Sequence, residues 1–219
     1  LHAQKNESLR TAATIHERQC QQLTALLDDL LDVARITRDR IELKLQRVDL
    51  RDCVQDAADE NVPCIEAKDQ VLDIAVPAEP LMAMVDRTRI TQIISNLVNN
   101  ACKYSANGAR VEVRAELIGD RLQISVTDTG TGIPQEMLPH IFEAFYVQPA
   151  AHPGQHGLGL GLWLCSQLAR LHGGDLRAFS EGRGKGARFE LRLPPDAAPS
   201  PSTRKTMKKE EIRYEPAHE

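Results

Sequence analysis

The stretch Asn96–Ser105, NLVNNACKYS, sits in a longer run, Arg87–Tyr104, where Ile90, Ile93, Ile94, Leu97 and Val98 are apolar. That spacing makes one face of an amphipathic helix. The polar remainder is chemically specific. Asn96 and Asn100 are four residues apart and share a face, and Lys103 lies three residues beyond Asn100 on nearly the same face. Two amide oxygens are suitable ligands for a hard cation that keeps several waters, and a nearby ammonium suits phosphate. Taken alone, the same residues also read as a plain polar helix face.

Two further stretches lie downstream. In TDTGTGIP (Thr127–Pro134), Asp128 ends a strand-like run, and Gly130 and Gly132 let the backbone approach a ligand closely. A carboxylate leaving a strand is placed to accept from an exocyclic amine. In GLGLGLWL (Gly157–Leu164), Gly157, Gly159 and Gly161 lead into a helical pattern. Exposed amides at a helix N-terminus attract anions, and phosphate can come close where side chains are missing. The glycines match neither the phosphate loop that ends in Lys-Ser/Thr nor the dinucleotide fingerprint. Each stretch alone is a Gly-rich turn; their order and spacing together are specific.

The rest of the chain supplies the frame. Residues 7–44 contain no Gly or Pro, and their apolar stripe predicts a long amphipathic helix. Its length, on the order of 50 Å, suits a bundle or coiled coil. VDLRDCVQDAADENV (Val48–Val62) predicts a second helix, capped by Asp49. Strands are expected at Val71–Val76 and Leu81–Val85, and a hairpin over Ala109–Ile118 and Arg121–Thr127 turns at Gly119-Asp120. Residues 135–145 read as short helices, 146–157 as a mobile lid, and Leu158–His172 as a helix stopped by Gly173-Gly174. A last hairpin pairs Leu176–Ser180 with Ala187–Leu193, and beyond Pro194 the composition is that of a linker, a disordered tail or an appended end. This order implies an α+β fold with helices on one face of a mainly antiparallel sheet.

Net charge is −4, so no basic field points to nucleic acid. No apolar run reaches the roughly 20 residues of a membrane span. The chain begins at Leu1 and reads as part of a longer protein. Five scattered cysteines, an odd number, argue against a disulfide framework, and the expectation is buried thiols in a reducing, cytoplasmic setting.

On these motifs the chain resembles the catalytic, ATP-binding domain of sensor histidine kinases, whose superfamily includes gyrase and the heat-shock chaperone and mismatch-repair ATPases. NLVNNACKYS resembles the N box, DTGTGIP the first glycine box, IFEAFY (Ile141–Tyr146) the F box, and GLGLGL the second glycine box. The resemblance implies a two-layer α/β sandwich (the Bergerat fold) over 47–194, preceded over 1–46 by the second helix of the dimerisation and phosphotransfer hairpin, with 195–219 outside both. It implies ATP and Mg²⁺ as cofactors. Asn100 would ligate Mg²⁺ with Asn96 beside it. Lys103 and Tyr104 would contact nucleotide, and Asp128 would take the adenine amine. Gly130, Gly132 and Ile133 would shape the adenine pocket. Phe142 and Phe145 would anchor the lid, or simply pack in the core. Gly157, Leu158, Gly159 and Gly161 would wrap the phosphates.

Hydrolysing members of the superfamily carry a water-activating Glu where this chain has Asn96, and an amide cannot act as a general base near neutral pH. The expected reaction is therefore phosphoryl transfer to a protein histidine, for relay to the aspartate of a response-regulator receiver domain. A nucleotide-binding scaffold and a hydrolytic ATPase are the alternatives. TIHERQ (Thr14–Gln19) offers His16-Glu17, but Gln21 stands where the family has Pro, and the segment runs without a turn into the second hairpin helix. His16 is thus read as a decoy, and no phosphoacceptor is expected in the chain. His152 and His156 are expected to be solvated loop residues. A homodimer through the N-terminal helix is expected of the full-length protein, whether soluble or membrane-anchored.

Overall fold

The computed structural model describes residues 24, 27, 30–38, 41–146 and 158–195. Strand β1 (Gln46–Asp49) leads into helix α1 (Leu50–Glu66), followed by β2 (Val71–Ala75), β3 (Met82–Val85) and α2 (Arg87–Tyr104). The hairpin β4 (Arg110–Ile118) and β5 (Arg121–Asp128) comes next, then α3 (Gly161–Leu171) and the hairpin β6 (Asp175–Phe179) and β7 (Ala187–Leu193). Five strands form one sheet in the order β2-β4-β5-β7-β6. The helices cover one face of it, as expected, in a mixed α/β fold.

Local chemistry explains most boundaries. Asp49 caps α1 by accepting from Arg51 N at 3.1 Å. Asp86 does the same for α2, accepting from Arg89 N at 3.3 Å. On α2, Ile90, Ile93, Ile94, Leu97 and Val98 are all 0% exposed. Each such burial is worth about 1.5–3 kcal/mol, and together they press α2 between α1, α3 and β5. Gly119, at φ 61°, opens the two-residue turn that pairs Ile118 with Arg121. Strand β5, at the centre of the sheet, is buried on both faces: Leu122, Ile124 and Val126 pack in the hydrophobic core, and Gln123 and Ser125 between them are buried as well.

Several expectations are corrected. The helix predicted over 7–44 does not reach 44. Residues 30–36 are helical and 37–38 form a turn, with Thr37 Oγ1 donating to Val33 O at 2.9 Å. Residues 41–45 lie outside any helix and lead into β1, held by Lys44 N donating to Asp86 Oδ2 at 2.9 Å. Ile41, placed on the helical stripe by its spacing, instead packs against the core. Residues 135–145 are successive turns, not helices. Pro139 interrupts any ladder, and the bonds that form are short-range, such as Met137 N to Pro134 O and His140 N to Met137 O, both at 2.9 Å. Strands β2 and β3 form where expected, and their partners come from elsewhere in the chain. β2 runs parallel to β4, whereas β3 pairs antiparallel with β1. Helix α3 begins at Gly161, later than Leu158. The remainder of the predicted N-terminal helix, His16, the lid residues 147–157 with Gly157, His152 and His156, and the tail 196–219 lie outside the described residues.

The cysteine expectation also fails in part. Cys64 of α1 and Cys102 of α2 form a disulfide, while Cys53 and Cys165 are buried thiols. An odd count cannot reveal a single pair that only packing brings together. Burial pushes the Cys53 thiol up to about 11. Among the described residues, no helix is long and apolar enough to cross a membrane.

Buried polar contacts also join elements, two of them to the start of α2. Asp32, on the N-terminal helical segment, receives Arg89 Nη1 at 2.6 Å and Nη2 at 3.0 Å, a bidentate pair that fastens this segment to the start of α2. His172, after α3, donates Nδ1–H to Leu168 O at 2.7 Å and accepts Asp86 N on Nε2 at 3.1 Å, which requires the neutral ring. Burial, foremost, lowers its pKa below 6.5; the Leu168 bond and the Asp86 charge oppose this, and Arg89 adds to it. The unfolded chain therefore binds this proton first as pH falls. The stabilisation is complete above about 6.5 and is lost on acidification toward the folded pKa, by at most about 1.4 kcal/mol per pH unit. Urea unfolding at pH 7.5 and 5.5 is expected to show the loss, and His172→Gln is expected to remove this component of it.

Candidate functional site

Helix α2 carries the polar half of the site on the flank its apolar stripe leaves free. Asn100 Nδ2 donates to Asn96 Oδ1 at 3.0 Å, so the two amides lock into one unit. That bond leaves the Asn100 carbonyl oxygen, the harder donor, for another partner. Asn96 also abuts the start of α3: a Cβ at Gly161 would lie 2.7 Å from Asn96 Nδ2. One helix turn of polar side chain thus meets the N-terminus of another helix, whose amides supply partial positive charge.

The C-terminal end of α2 meets the glycine loop that follows β5. Thr131 N donates to Tyr104 O at 3.0 Å. A Cβ at Gly130 would clash with Tyr104 O and come within 2.8 Å of Asp128 Oδ1, so only glycine fits there. Asp128 is 7% exposed and accepts Gly130 N at 2.8 Å on Oδ1. Burial, foremost, raises its pKa, opposed by the backbone N–H groups of Gly130 and Ala187. The loop is braced from behind by the β6–β7 turn. Gly184 N donates to Thr131 O at 2.7 Å, Gly186 N to Gly130 O at 3.2 Å, and Ile133 N to Ser180 Oγ at 2.9 Å. Gly132, at φ 66°, approaches Gly182 O too closely for any side chain.

Lys103 and Tyr104 lie side by side, with the ammonium 5.1 Å from the ring centroid. The two phenylalanines separate: Phe142 packs against the core, whereas Phe145 is 63% exposed. Phe145 also takes a positive φ of 63°, a conformation that costs on the order of 1–3 kcal/mol in a bulky residue and tends to mark functional loops. Its N donates to Gly159 O at 3.1 Å, which ties the F-box segment to the second glycine segment. Gly159, at φ 68°, has no room for a side chain against Phe145 and Tyr146. Leu158 is exposed and Ile133 half-buried against the core.

The described site residues fall into two clusters joined by α2. Asn96, Asn100 and Gly161 form one; Tyr104, Asp128, Gly130 and Gly132 form the other. Asn96 and Tyr104 are eight positions apart on the helix, a rise of about 12 Å. Ser105 was not legible beforehand. Its hydroxyl is buried, lacks a protein partner, and would lie 2.7 Å from a Cβ on Gly130. A buried hydroxyl without a partner, beside Asp128, calls for a hydrogen bond from water or ligand. Among the described residues no cluster of three His, Cys, Asp or Glu could hold a metal on its own.

Residues 85–197 match the family model described as histidine kinase-, DNA gyrase B-, and HSP90-like ATPase. The chain is 36% identical over 183 residues to the signal transduction histidine-protein kinase AfsQ2 of Streptomyces coelicolor, covering 83% of this chain and 32% of that protein. It is likewise 36% identical over 178 residues to the alginate biosynthesis sensor protein KinB of Pseudomonas aeruginosa, covering 81% of this chain and 29% of that protein. Among solved structures, full-length ShkA in complex with AMPPNP superposes with a TM-score of 0.72 at 32% identity, over 86% of this chain and 39% of that one. This chain therefore spans about a third of the relatives' length.

Proposed function

Because the chain belongs to the histidine kinase-, DNA gyrase B-, and HSP90-like ATPase family, we propose that it is the ATP-binding catalytic part of a sensor histidine kinase. In this reading it presents the γ-phosphoryl group of ATP to a histidine on a phosphotransfer hairpin. That histidine is absent from this chain, and the phosphoryl group is then relayed to a receiver-domain aspartate. The catalytic domain starts with β1 at Gln46 and runs to 194, and the helical segment that ends at residue 36 belongs to the second hairpin helix, which pairs two copies in a cytoplasmic homodimer. The observation that carries this reading is the Asn96–Asn100 unit set against the N-terminus of α3. It supplies ligands and positive potential for phosphates but no base for water.

Roles follow from the groups available. The Asp128 carboxylate accepts the adenine amine, and Ser105 Oγ satisfies its own buried hydroxyl on the same base or on a bridging water. Gly130, Gly132 and Ile133 form the pocket floor, and Phe145 covers its mouth. Lys103 and Tyr104 bind along the ribose and phosphates. The amides near Gly157, Leu158, Gly159 and Gly161 hold the terminal phosphates. The donor set fits Mg²⁺, which takes one or two protein oxygens and completes its shell with water and phosphate. Asn100 would hold it through its carbonyl oxygen, with Asn96 fixing that amide. Bound there, the ion would neutralise charge on the phosphates. What the chain itself contributes to the transfer is alignment, exclusion of water and fixed dipoles.

The test is incubation with labelled ATP, Mg²⁺ and a separately prepared phosphotransfer hairpin. The expected result is acid-labile, base-stable label on the hairpin histidine and none on this chain, His16 included. Steady release of phosphate would assign a hydrolase instead. Nucleotide binding without transfer would assign a scaffold.

A further inference from the structure

The C-terminal turn of α2, which bears Lys103 and Tyr104, is held from outside the site by three groups of the α1–β2 region. Lys68 Nζ donates to the carbonyls of Cys102, Lys103 and Ser105 at 2.8, 3.0 and 3.1 Å. Gln70 Nε2 donates to Cys102 O, Ser105 O and Ala106 O at 3.2, 3.3 and 2.9 Å. The third group is covalent: Cys64 is bonded to Cys102, two residues beyond Asn100, with Cα atoms 6.6 Å apart. Carbonyls at a helix end are satisfied here by side chains from the α1–β2 connection, so the position of this turn is set by that region. Tyr104 O then passes that position to the glycine loop through Thr131 N.

We propose that the Cys64–Cys102 disulfide is a reversible thiol-exchange site that tunes nucleotide affinity through this turn, which rests on the reading of α2 as the nucleotide-binding helix. The two cysteines differ in exposure: Cys64 is partly exposed, whereas Cys102 is 0% exposed. The reactant is a low-molecular-weight thiol of the glutathione class. Its thiolate attacks Cys64 Sγ, the S–S bond breaks, and Cys102 leaves as a thiolate that takes up a proton. A second thiol attacks the small-molecule sulfur of the mixed disulfide and releases Cys64. Two thiols are thus oxidised to one small disulfide, and the protein bond gains two electrons and two protons. In a reducing compartment a protein disulfide is transient and regulatory rather than structural, in keeping with a single bond beside a binding site. The buried thiols Cys53 and Cys165 offer no comparable access.

Reduction moves the two sulfurs from bonding distance to van der Waals contact, roughly 1.5 Å further apart. Lys68 and Gln70 keep the turn attached, so the fold persists while Lys103, Tyr104 and the glycine loop shift. Displacements of this size in positioning groups are costly, and the expected change is about fivefold weaker binding or more. The loop closed by the bond spans 38 residues, so reduction should also lower the melting temperature by roughly 8–15 °C.

The experiment compares the chain held in oxidised glutathione with the chain held in dithiothreitol. It measures Mg²⁺–AMPPNP affinity by calorimetry, melting temperature, and the Cys64–Cys102 peptide by mass spectrometry after alkylation. Expected are the linked peptide and tighter binding in the oxidised sample, with Cys64→Ala fixed at the reduced affinity in both buffers. Equal affinity in the two wild-type samples, a redox response that survives in Cys64→Ala, or full alkylation of both residues under oxidation each overturns the proposal. A linked peptide with no nucleotide binding in either state overturns the reading of the site, and the coupling falls with it.

Discussion

Asn100→Ala is expected to cut phosphoryl transfer to a supplied phosphotransfer hairpin by about 10²–10³-fold, the cost of losing one preorganised electrostatic contact at a reacting phosphate. The substitution removes the oxygen proposed for the cation and also the donor that holds Asn96 Oδ1 at 3.0 Å. Asn96 then loses its orientation beside Gly161, so both ends of the phosphate cradle loosen together. Asn100 lies on the half-buried flank of α2, away from the fully buried Ile93, Ile94 and Leu97, so folding should survive. Single-turnover transfer of labelled phosphate, read beside the affinity for adenosine, separates the effects. Transfer should collapse while adenosine still binds, because Asp128 is untouched. Transfer at the wild-type rate would remove Asn100 from the machinery.

Asp128→Asn should have the second large effect, with the opposite balance. The carboxylate is a double acceptor, whereas the amide that replaces it directs either a carbonyl or an NH₂ group at the base. If Gly130 N retains the carbonyl, the NH₂ group faces the adenine amine donor to donor. Losing a hydrogen bond to a charged acceptor and gaining that repulsion should weaken ATP binding by about 10²-fold. Stability should move the other way. Burial raises the pKa of Asp128, so its charge is held at a cost that a neutral amide does not incur. Calorimetric titration with AMPPNP, paired with a thermal melt, checks both halves. Weak binding with an unchanged or higher melting temperature is expected. A lower melting temperature would make Asp128 a structural residue.

What was legible beforehand depended on short-range physics. The 3-4-7 spacing of Ile90, Ile93, Ile94, Leu97 and Val98 requires a helix with one buried face, and that face is buried. Asp49 before Leu50 is a cap because its side chain reaches its own backbone two residues on. Gly119 marks a hairpin because a tight turn needs a positive φ. The motifs NLVNNACKYS and DTGTGIP could be placed on a helix and after a strand for the same reason. The failures were equally physical. Ile41 suits a helical stripe and an extended strap alike, and packing against the core chose the strap. Residues 135–145 have apolar spacing compatible with helix, but Pro139 in their midst withholds an N–H that a helix would need.

By itself the sequence determined most of the elements, with β1 and the true end of the N-terminal helix the exceptions, the Asp49 cap and the Gly119 turn, and the residue types able to bind a triphosphate, because each follows from neighbours within a few positions. Tertiary structure alone decided which strands pair, since β1 must find β3 across α1, and β2 must align parallel to β4 across α2. It also decided that Asn96 would meet Gly161, that Ser105 would be buried beside Asp128, and that Cys64 would bond Cys102. Each of these joins residues dozens of positions apart, or rests on burial created by such joins. No local pattern records them, because the free energy that selects them comes from the packed core and not from the segment.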